Sequence, residues 1–225
     1  MSSTYNIAID GPAGAGKSTI AKLVAAKLGF IYVDTGAMYR AMALYFLENG
    51  IQPEDEAKVS AACGQIDISL RYQDGVQQVI LNGEDVSGKI RTEAVGNAAS
   101  VVSAYRAVRQ ALLALQQNLA KTSNVIMDGR DIGTCVLPEA QTKIYLTASS
   151  HVRAIRRYKE LTEKGQTCNL EEIEQDIIDR DYRDMHREIS PLTQAADAVL
   201  LDSSAMTIDQ VVDGIIAAAR ERGLA

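Results

Sequence analysis

The chain has 225 residues, 47% of them apolar and 23% charged, with a formal net charge of −6. That composition suits one soluble globular domain with a sizeable core, and the acidic balance argues against a general nucleic-acid binder. No stretch approaches the ~18 uninterrupted apolar residues of a membrane span, and neither the three cysteines (Cys63, Cys135, Cys168) nor the two histidines (His151, His186) form a CxxC pair or a zinc-ligand cluster.

Met1–Asn6 is short and polar and lacks the parts of a secretion signal, so reduced thiols and a cytoplasmic protein are expected. Asn6–Asp10 reads as a buried strand, broken by Gly11–Gly16. Lys17–Leu28 reads as a helix, with Ile20, Leu23, Val24 and Leu28 on one face and Gly29 as its stop. Phe30–Val33 is a second strand, and Asp34-Thr35-Gly36 leads into a helix that runs to about Gly50. The pattern then changes. From Gln65 to Asn82 apolar Ile66, Ile68 and Leu70 alternate with Asp67, Ser69 and Arg71, and Asp74-Gly75 and Asn82-Gly83 are turn signals. This predicts a small antiparallel insertion. Further on, Asn124–Asp128, Lys143–Thr147 and Ala198–Asp202 are short apolar runs separated by helical stretches, and an amphipathic helix closes the chain from about Thr207 to Arg222. Five continuous apolar strands alternating with helices predict an α/β fold with a parallel sheet covered on both faces.

Gly11-Pro12-Ala13-Gly14-Ala15-Gly16-Lys17-Ser18 matches GxxxxGK(S/T) at every required position, between a predicted strand and a predicted helix. The glycines let successive backbone N–H groups face one anion, and the helix N-terminus adds its dipole. Lys17 is placed to neutralise β- and γ-phosphate oxygens, Ser18 to contact Mg²⁺, and Thr19 extends the first turn. A dinucleotide fingerprint read from Gly14 requires glycine at position 19, where Thr19 stands. The motif indicates a P-loop NTPase core that binds nucleoside triphosphate; it leaves the fate of the γ-phosphate open.

Arginine is the second signal. Arg40 follows Asp34-Thr35-Gly36, Arg130 follows Asp128-Gly129, and residues 151–190 hold Arg153, Arg156, Arg157, Arg180, Arg183 and Arg187. Helical spacing puts each set of three on one face. Always charged and able to grip oxygens through two N–H groups, arginine suits phosphoryl transfer. The alternative is a solvated face paired with Asp176, Asp179, Asp181 and Asp184.

Several stretches together resemble the bacterial cytidylate kinases, within the nucleoside monophosphate kinases. They are Ile9–Thr19, Asp34–Arg40, Gly83–Arg91, Asn97–Ser100, Asp128–Thr134 and Arg180–Arg187. The resemblance covers essentially the whole chain; the first stretch is shared by many kinases, while the others in this order are much more specific. It implies a single P-loop kinase domain over 1–225, with a nucleoside-monophosphate-binding insertion at about 63–105 and a helical, Arg-rich lid at about 151–190. It implies ATP-dependent phosphoryl transfer to CMP and dCMP, with Mg²⁺, in a cytoplasmic monomer that takes small-molecule partners and neither nucleic acid nor membrane.

By position, residues 11–19 would bind ATP, with Arg153, Arg156 and Arg157 of the lid over it. Arg40, Arg130 and Arg187 would grip the acceptor phosphate, and Thr35 would lie beside it. Ser100, Arg109 and Asp131 would read the cytosine edge, and Arg180 and Asp184 the ribose hydroxyls. Lys17, Arg130, Arg187 and Arg157 would be catalytic. The base-reading set is chemically apt: an acid accepts from N4, while arginine and serine donate to N3 and O2. A kinase for UMP or AMP would show the same loop and lid. A GTP-binding switch protein would carry a guanine-specifying Asn-Lys-x-Asp, which is absent, and Asp85–Gly88 matches Asp-x-x-Gly only inside the antiparallel insertion. A nucleic-acid-binding ATPase conflicts with the acidic balance and with the absence of Trp and only two Phe.

Overall fold

The computed structural model describes residues 4–224. Its core is a five-stranded parallel sheet of β1 (Asn6–Asp10), β2 (Ile31–Asp34), β6 (Val125–Gly129), β7 (Thr142–Thr147) and β8 (Val199–Asp202), in the order β2-β6-β1-β7-β8. These are the five strands read from the sequence, with ends shifted by a residue. Ile7, Ala8 and Ile9 are all fully buried because both faces of β1 are covered. Alternate residues feed different cores. Ala8, Val33 and Met127 join one cluster with Met38, Phe46 and Leu112. Ile7, Ile9, Ile126 and Ile144 join the other with Val24, Val212 and Ile215. The first face is covered from helices α2 (Thr35–Glu48), α4 (Glu93–Val102) and α5 (Arg106–Thr122), the second from α1 (Lys17–Leu28) and α8 (Ile208–Glu221).

The helix ends follow local chemistry. Asp34 caps α2 by accepting from Ala37 N–H at 2.8 Å, and Thr207 with Gln210 forms a capping box on α8. Glu56–Ala62 forms a short helix, α3.

The antiparallel insertion is β3 (Ile68–Gln73), β4 (Val76–Leu81) and β5 (Glu84–Asp85). Asp74 and Gly75 join β3 to β4, with φ of 53° and 76°, and Asn82 and Gly83 join β4 to β5, with φ of 48° and 89°. Positive φ at both central residues is the hairpin geometry that Asp-Gly and Asn-Gly favour. The hairpin is clipped to the free side of β2: Gln77 accepts from Asp34 N–H at 2.9 Å and donates to Asp34 O at 3.3 Å, while Tyr72 donates to Tyr32 O at 3.1 Å. Between β7 and β8 lie α6 (Ser150–Glu163) and α7 (Leu170–His186), packed together as the arginine-bearing hairpin.

One glycine fixes where the site begins. Gly11 leaves β1 with φ 152°, and a Cβ there would lie 1.9 Å from the Leu146 carbonyl oxygen on β7. Because the obstacle is backbone, Gly11→Ala is expected to destabilise the fold by about 3 kcal/mol or more. Urea unfolding reads this directly, and a wild-type midpoint would contradict the close approach.

Candidate active site

The loop between β1 and α1 ends at Gly16, whose left-handed backbone (φ 86°) starts the helix with no side-chain cap. The first N–H groups of α1 are thus left facing the cavity, the arrangement that receives an anion. Lys17 is buried and folds over the loop, its Nζ donating to the carbonyls of Gly11 and Pro12 at 2.7 Å each. Burial, with Arg130 nearby, holds its pKa well below the ordinary lysine value, against the pull of Asp128, Asp10 and Asp184. Ser18 donates to Asp128 Oδ2 at 2.7 Å, and Tyr32 to Asp128 Oδ1 at 3.0 Å. Asp128, next to last in β6, is buried; burial and then neighbouring Asp34 push its carboxyl up.

These groups open into one cavity of about 810 Å³. Its lining holds nine cationic side chains (Lys17, Arg40, Arg109, Arg130, Arg153, Arg156, Arg157, Arg180, Arg187) against five carboxylates (Asp34, Asp128, Asp131, Glu160, Asp184). The pairing is incomplete. Arg40 reaches Asp34 at 2.9 Å and Arg130 reaches Asp184 at 2.8 Å, but Arg180 makes no ion pair among the described residues. Nε of Arg40, Nε of Arg180 and Nη2 of Arg187 are buried without a hydrogen-bond acceptor. Burial and the neighbouring Arg130 lower Arg180 to about 10, and burial and Arg109 lower Arg187. Burial raises the Asp184 carboxyl, but Arg130, Arg180 and Arg187 outweigh it and leave it below the usual range. Such a surplus of cation out of water calls for an anion.

Across the cavity, Arg109 of α5 pairs with Asp131, and Asp131 Oδ1 lies 3.7 Å from Arg187. Arg109 also lies against the Tyr39 ring, 5.5 Å from its centroid. Burial pushes the Tyr39 hydroxyl up to about 12, so it stays a neutral donor. Ser100 lines the same end from α4. The arrangement offers donors and an acceptor at one end of the cavity, joined by arginines to an anion-binding loop.

The structure brings nearly all the sequence-proposed residues to this one cavity; Gly11 and Pro12 are the exceptions, lying beneath it as backbone supports. Several are engaged otherwise than the spacing suggests. Arg153 is buried and acts as a strut, donating to Ala13 O and Ala148 O at 2.8 Å each and pairing with Asp181 at 2.6 Å. Arg156 grips the Ser203 carbonyl at 2.8 Å, Arg157 pairs with Glu160 at 2.9 Å, and Thr35 donates to Asp128 O at 2.7 Å. Arg183 points away from the cavity and is exposed. The Arg153–Asp181 pair matches the alternative reading of Asp181 as an arginine partner, though it is buried rather than solvated; no role was read for Asp10, Asp128 or Tyr39. For Asp10 and Asp128 a signal existed, a carboxylate at or next to the end of a buried strand and followed by a glycine; for Tyr39 none did.

Comparison with known proteins gives a consistent set of relatives. The family model described as cytidylate kinase matches residues 7–221. A cytidylate kinase of Leuconostoc mesenteroides is 52% identical over 208 residues, covering 92% of this chain and 93% of its own. One from Caldicellulosiruptor bescii is 51% identical over 211 residues, covering 94% and 93%, and one from Ligilactobacillus salivarius is 49% identical with 99% of each chain covered.

The buried Asp10 predicts a pH effect on stability. Burial raises its carboxyl to about 6 from 3.8, against hydrogen bonds from Gly133 and Ile132 N–H. The native state therefore holds this proton more tightly than the unfolded chain, and its contribution falls as pH rises from about 4 through about 6. The stability of the wild type relative to Asp10→Asn should drop by roughly 3 kcal/mol across that window. Denaturant titrations at pH 4, 5, 6 and 7 measure it, and a flat difference would contradict the shift.

Proposed function

The chain belongs to the cytidylate kinase family, and on that premise we propose that it transfers the γ-phosphoryl group of ATP to CMP and dCMP, giving ADP and the diphosphate. The observation that carries the reading is the single cavity in which an anion-binding loop and a partly unpaired arginine cluster face one another, with a polar Arg109–Asp131–Ser100 end beyond.

ATP lies along residues 11–19, its phosphates on the loop N–H groups and on Lys17, which exchanges its carbonyl partners for phosphate oxygens. Arg156 and Arg157 flank the nucleotide, and Arg153 holds the loop itself. The acceptor phosphate is gripped by Arg40, Arg130 and Arg187, beside Thr35; Arg180 and Asp184 meet the sugar hydroxyls. Asp131 accepts from cytosine N4 while Arg109 and Ser100 donate to N3 and O2. Uracil carries an oxygen at the N4 position and an N–H at N3, which sets it against the same groups. The acceptor oxygen attacks the γ-phosphorus in line. With a second phosphate pKa of ~6 it is already mostly ionised at neutral pH, so no strong general base is needed. Acceleration comes from positioning and from charge neutralisation by Lys17, Arg130, Arg187 and Arg157.

Mg²⁺ fits this donor set. Among the described residues no cluster of three His, Cys, Asp or Glu could cage a metal. The hard oxygens of Ser18 and Asp128, 2.7 Å apart at the loop, suit an ion that shares its shell with nucleotide phosphates. It would neutralise charge developing on the phosphate oxygens. We further propose a cytoplasmic monomer, in keeping with the family resemblance and with three cysteines that are free thiols.

Two experiments test the reading. ADP release should be fastest with CMP and dCMP among CMP, dCMP, UMP, AMP and GMP; equal or better use of UMP or AMP would overturn the base-reading roles and leave the phosphoryl chemistry standing. Lys17→Ala should lower kcat by ~10²-fold or more while the unfolding midpoint stays near wild type, and near-normal turnover would overturn the mechanism.

A further inference from the structure

Asp131 stands at the entry to a single π-turn, Ile132–Val136. An aspartate in such a position ordinarily accepts from the N–H groups that follow it. Here it makes no such bond, because its carboxylate faces the cavity and takes Arg109, with Arg187 beyond. The N–H groups of Ile132 and Gly133 are bound instead by Asp10, at 2.8 Å to Oδ1 and 2.7 Å to Oδ2. Asp10 is buried at the end of β1, opposite Gly129 in the register with β6. A Cβ on Gly133 would come within 3.3 Å of Asp10 Oδ2 and 3.2 Å of the Lys143 chain, so the absence of a side chain there admits the carboxylate.

We propose that Asp10 is a positioning residue for acceptor recognition: it caps the turn in place of Asp131 and so frees Asp131 to face the base. The inference rests on the base-reading role given to Asp131 above. Asp10 immediately precedes the phosphate loop, so the competing role is support of ATP binding. Among the described residues, however, neither of its oxygens accepts a hydrogen bond from that loop, and its link to Lys17 is through charge alone and ranks below its contacts to Ile132 and Gly133. Both oxygens are needed as acceptors, one for each N–H; asparagine retains one, alanine none.

The test compares Asp10→Ala, Asp10→Asn, Asp131→Asn and the double variant Asp10→Asn/Asp131→Asn by steady-state kinetics with ATP, CMP and UMP. In Asp10→Ala the KM for CMP should rise ~10-fold or more and the preference for CMP over UMP should fall in proportion, while the KM for ATP stays within about twofold. Asp10→Asn should fall between, and the double variant should discriminate no worse than Asp131→Asn alone, since one residue acts through the other. If Asp10→Ala does not fold, Asp10→Asn carries the test, together with hydrogen exchange of the Ile132 and Gly133 amides, which should quicken while those of α1 do not. Parallel rises in the KM for ATP and CMP, or an unchanged CMP preference in folded Asp10 variants with Asp131→Asn sensitive, would overturn this inference alone. An unchanged preference in Asp131→Asn would overturn the base-reading role itself and this inference with it.

Discussion

The parallel pairing of β1 with β6 sets Ile9 beside Asp128 and Asp10 beside Gly129, and that alignment fixes the centre of the site around which its other elements are arranged. Two chain segments leave the sheet side by side at the carboxyl ends of its strands, where open α/β sheets bind ligands. One becomes the phosphate loop, the other the Gly129–Ile132 segment with its arginine and aspartate. The Ser18–Asp128 contact and the capping of the 132–136 turn are direct consequences. A slip of one residue would turn Asp128 to the opposite face and empty the site of its central carboxylate.

The second constraint is charge. The chain is acidic overall, with a net charge of −6, yet its cavity concentrates cations. Concentrating arginines costs free energy, visible in the depression of Arg180 and Arg187 below the ordinary arginine value. The carboxylates of Asp34, Asp131 and Asp184 offset part of that cost and hold each guanidinium in a defined place. What they leave unpaired is available to phosphate. The free protein is therefore strained toward its ligand, and the anion relieves the repulsion on arrival.

Much of this was legible in the amino-acid sequence, and the boundary is physical. Features written in contiguous residues were readable: the phosphate loop, the five apolar strands, and the Asp74-Gly75 and Asn82-Gly83 turns, both of which adopt the positive φ their chemistry favours. Helical spacing grouped Arg180, Arg183 and Arg187, but the buried side of α7 runs through Asp184 and leaves Arg183 in solvent. Features that depend on residues far apart in the chain were not readable from the residues themselves. For Arg153 both a lid cation and a partner of Asp181 were open, and its anchoring to Ala13, 140 residues away, was not visible. Asp10 looked like a strand end because the turn it caps follows more than a hundred residues later. The roles of Ser100, Arg109 and Asp131 came from family resemblance alone.

The clip between the insertion and β2 has a consequence beyond the site. β2 is an edge of the five-stranded sheet, and an edge strand presents backbone groups that invite pairing with another chain. On its outward side the Tyr32 carbonyl and both the N–H and carbonyl of Asp34 are already taken by Tyr72 and Gln77 side chains. Side chains, unlike a docked strand, satisfy these groups without extending the hydrogen-bond ladder. The insertion thus closes a template for self-association, and side chains of its hairpin protect the sheet edge that leads into Asp34 at the cavity wall.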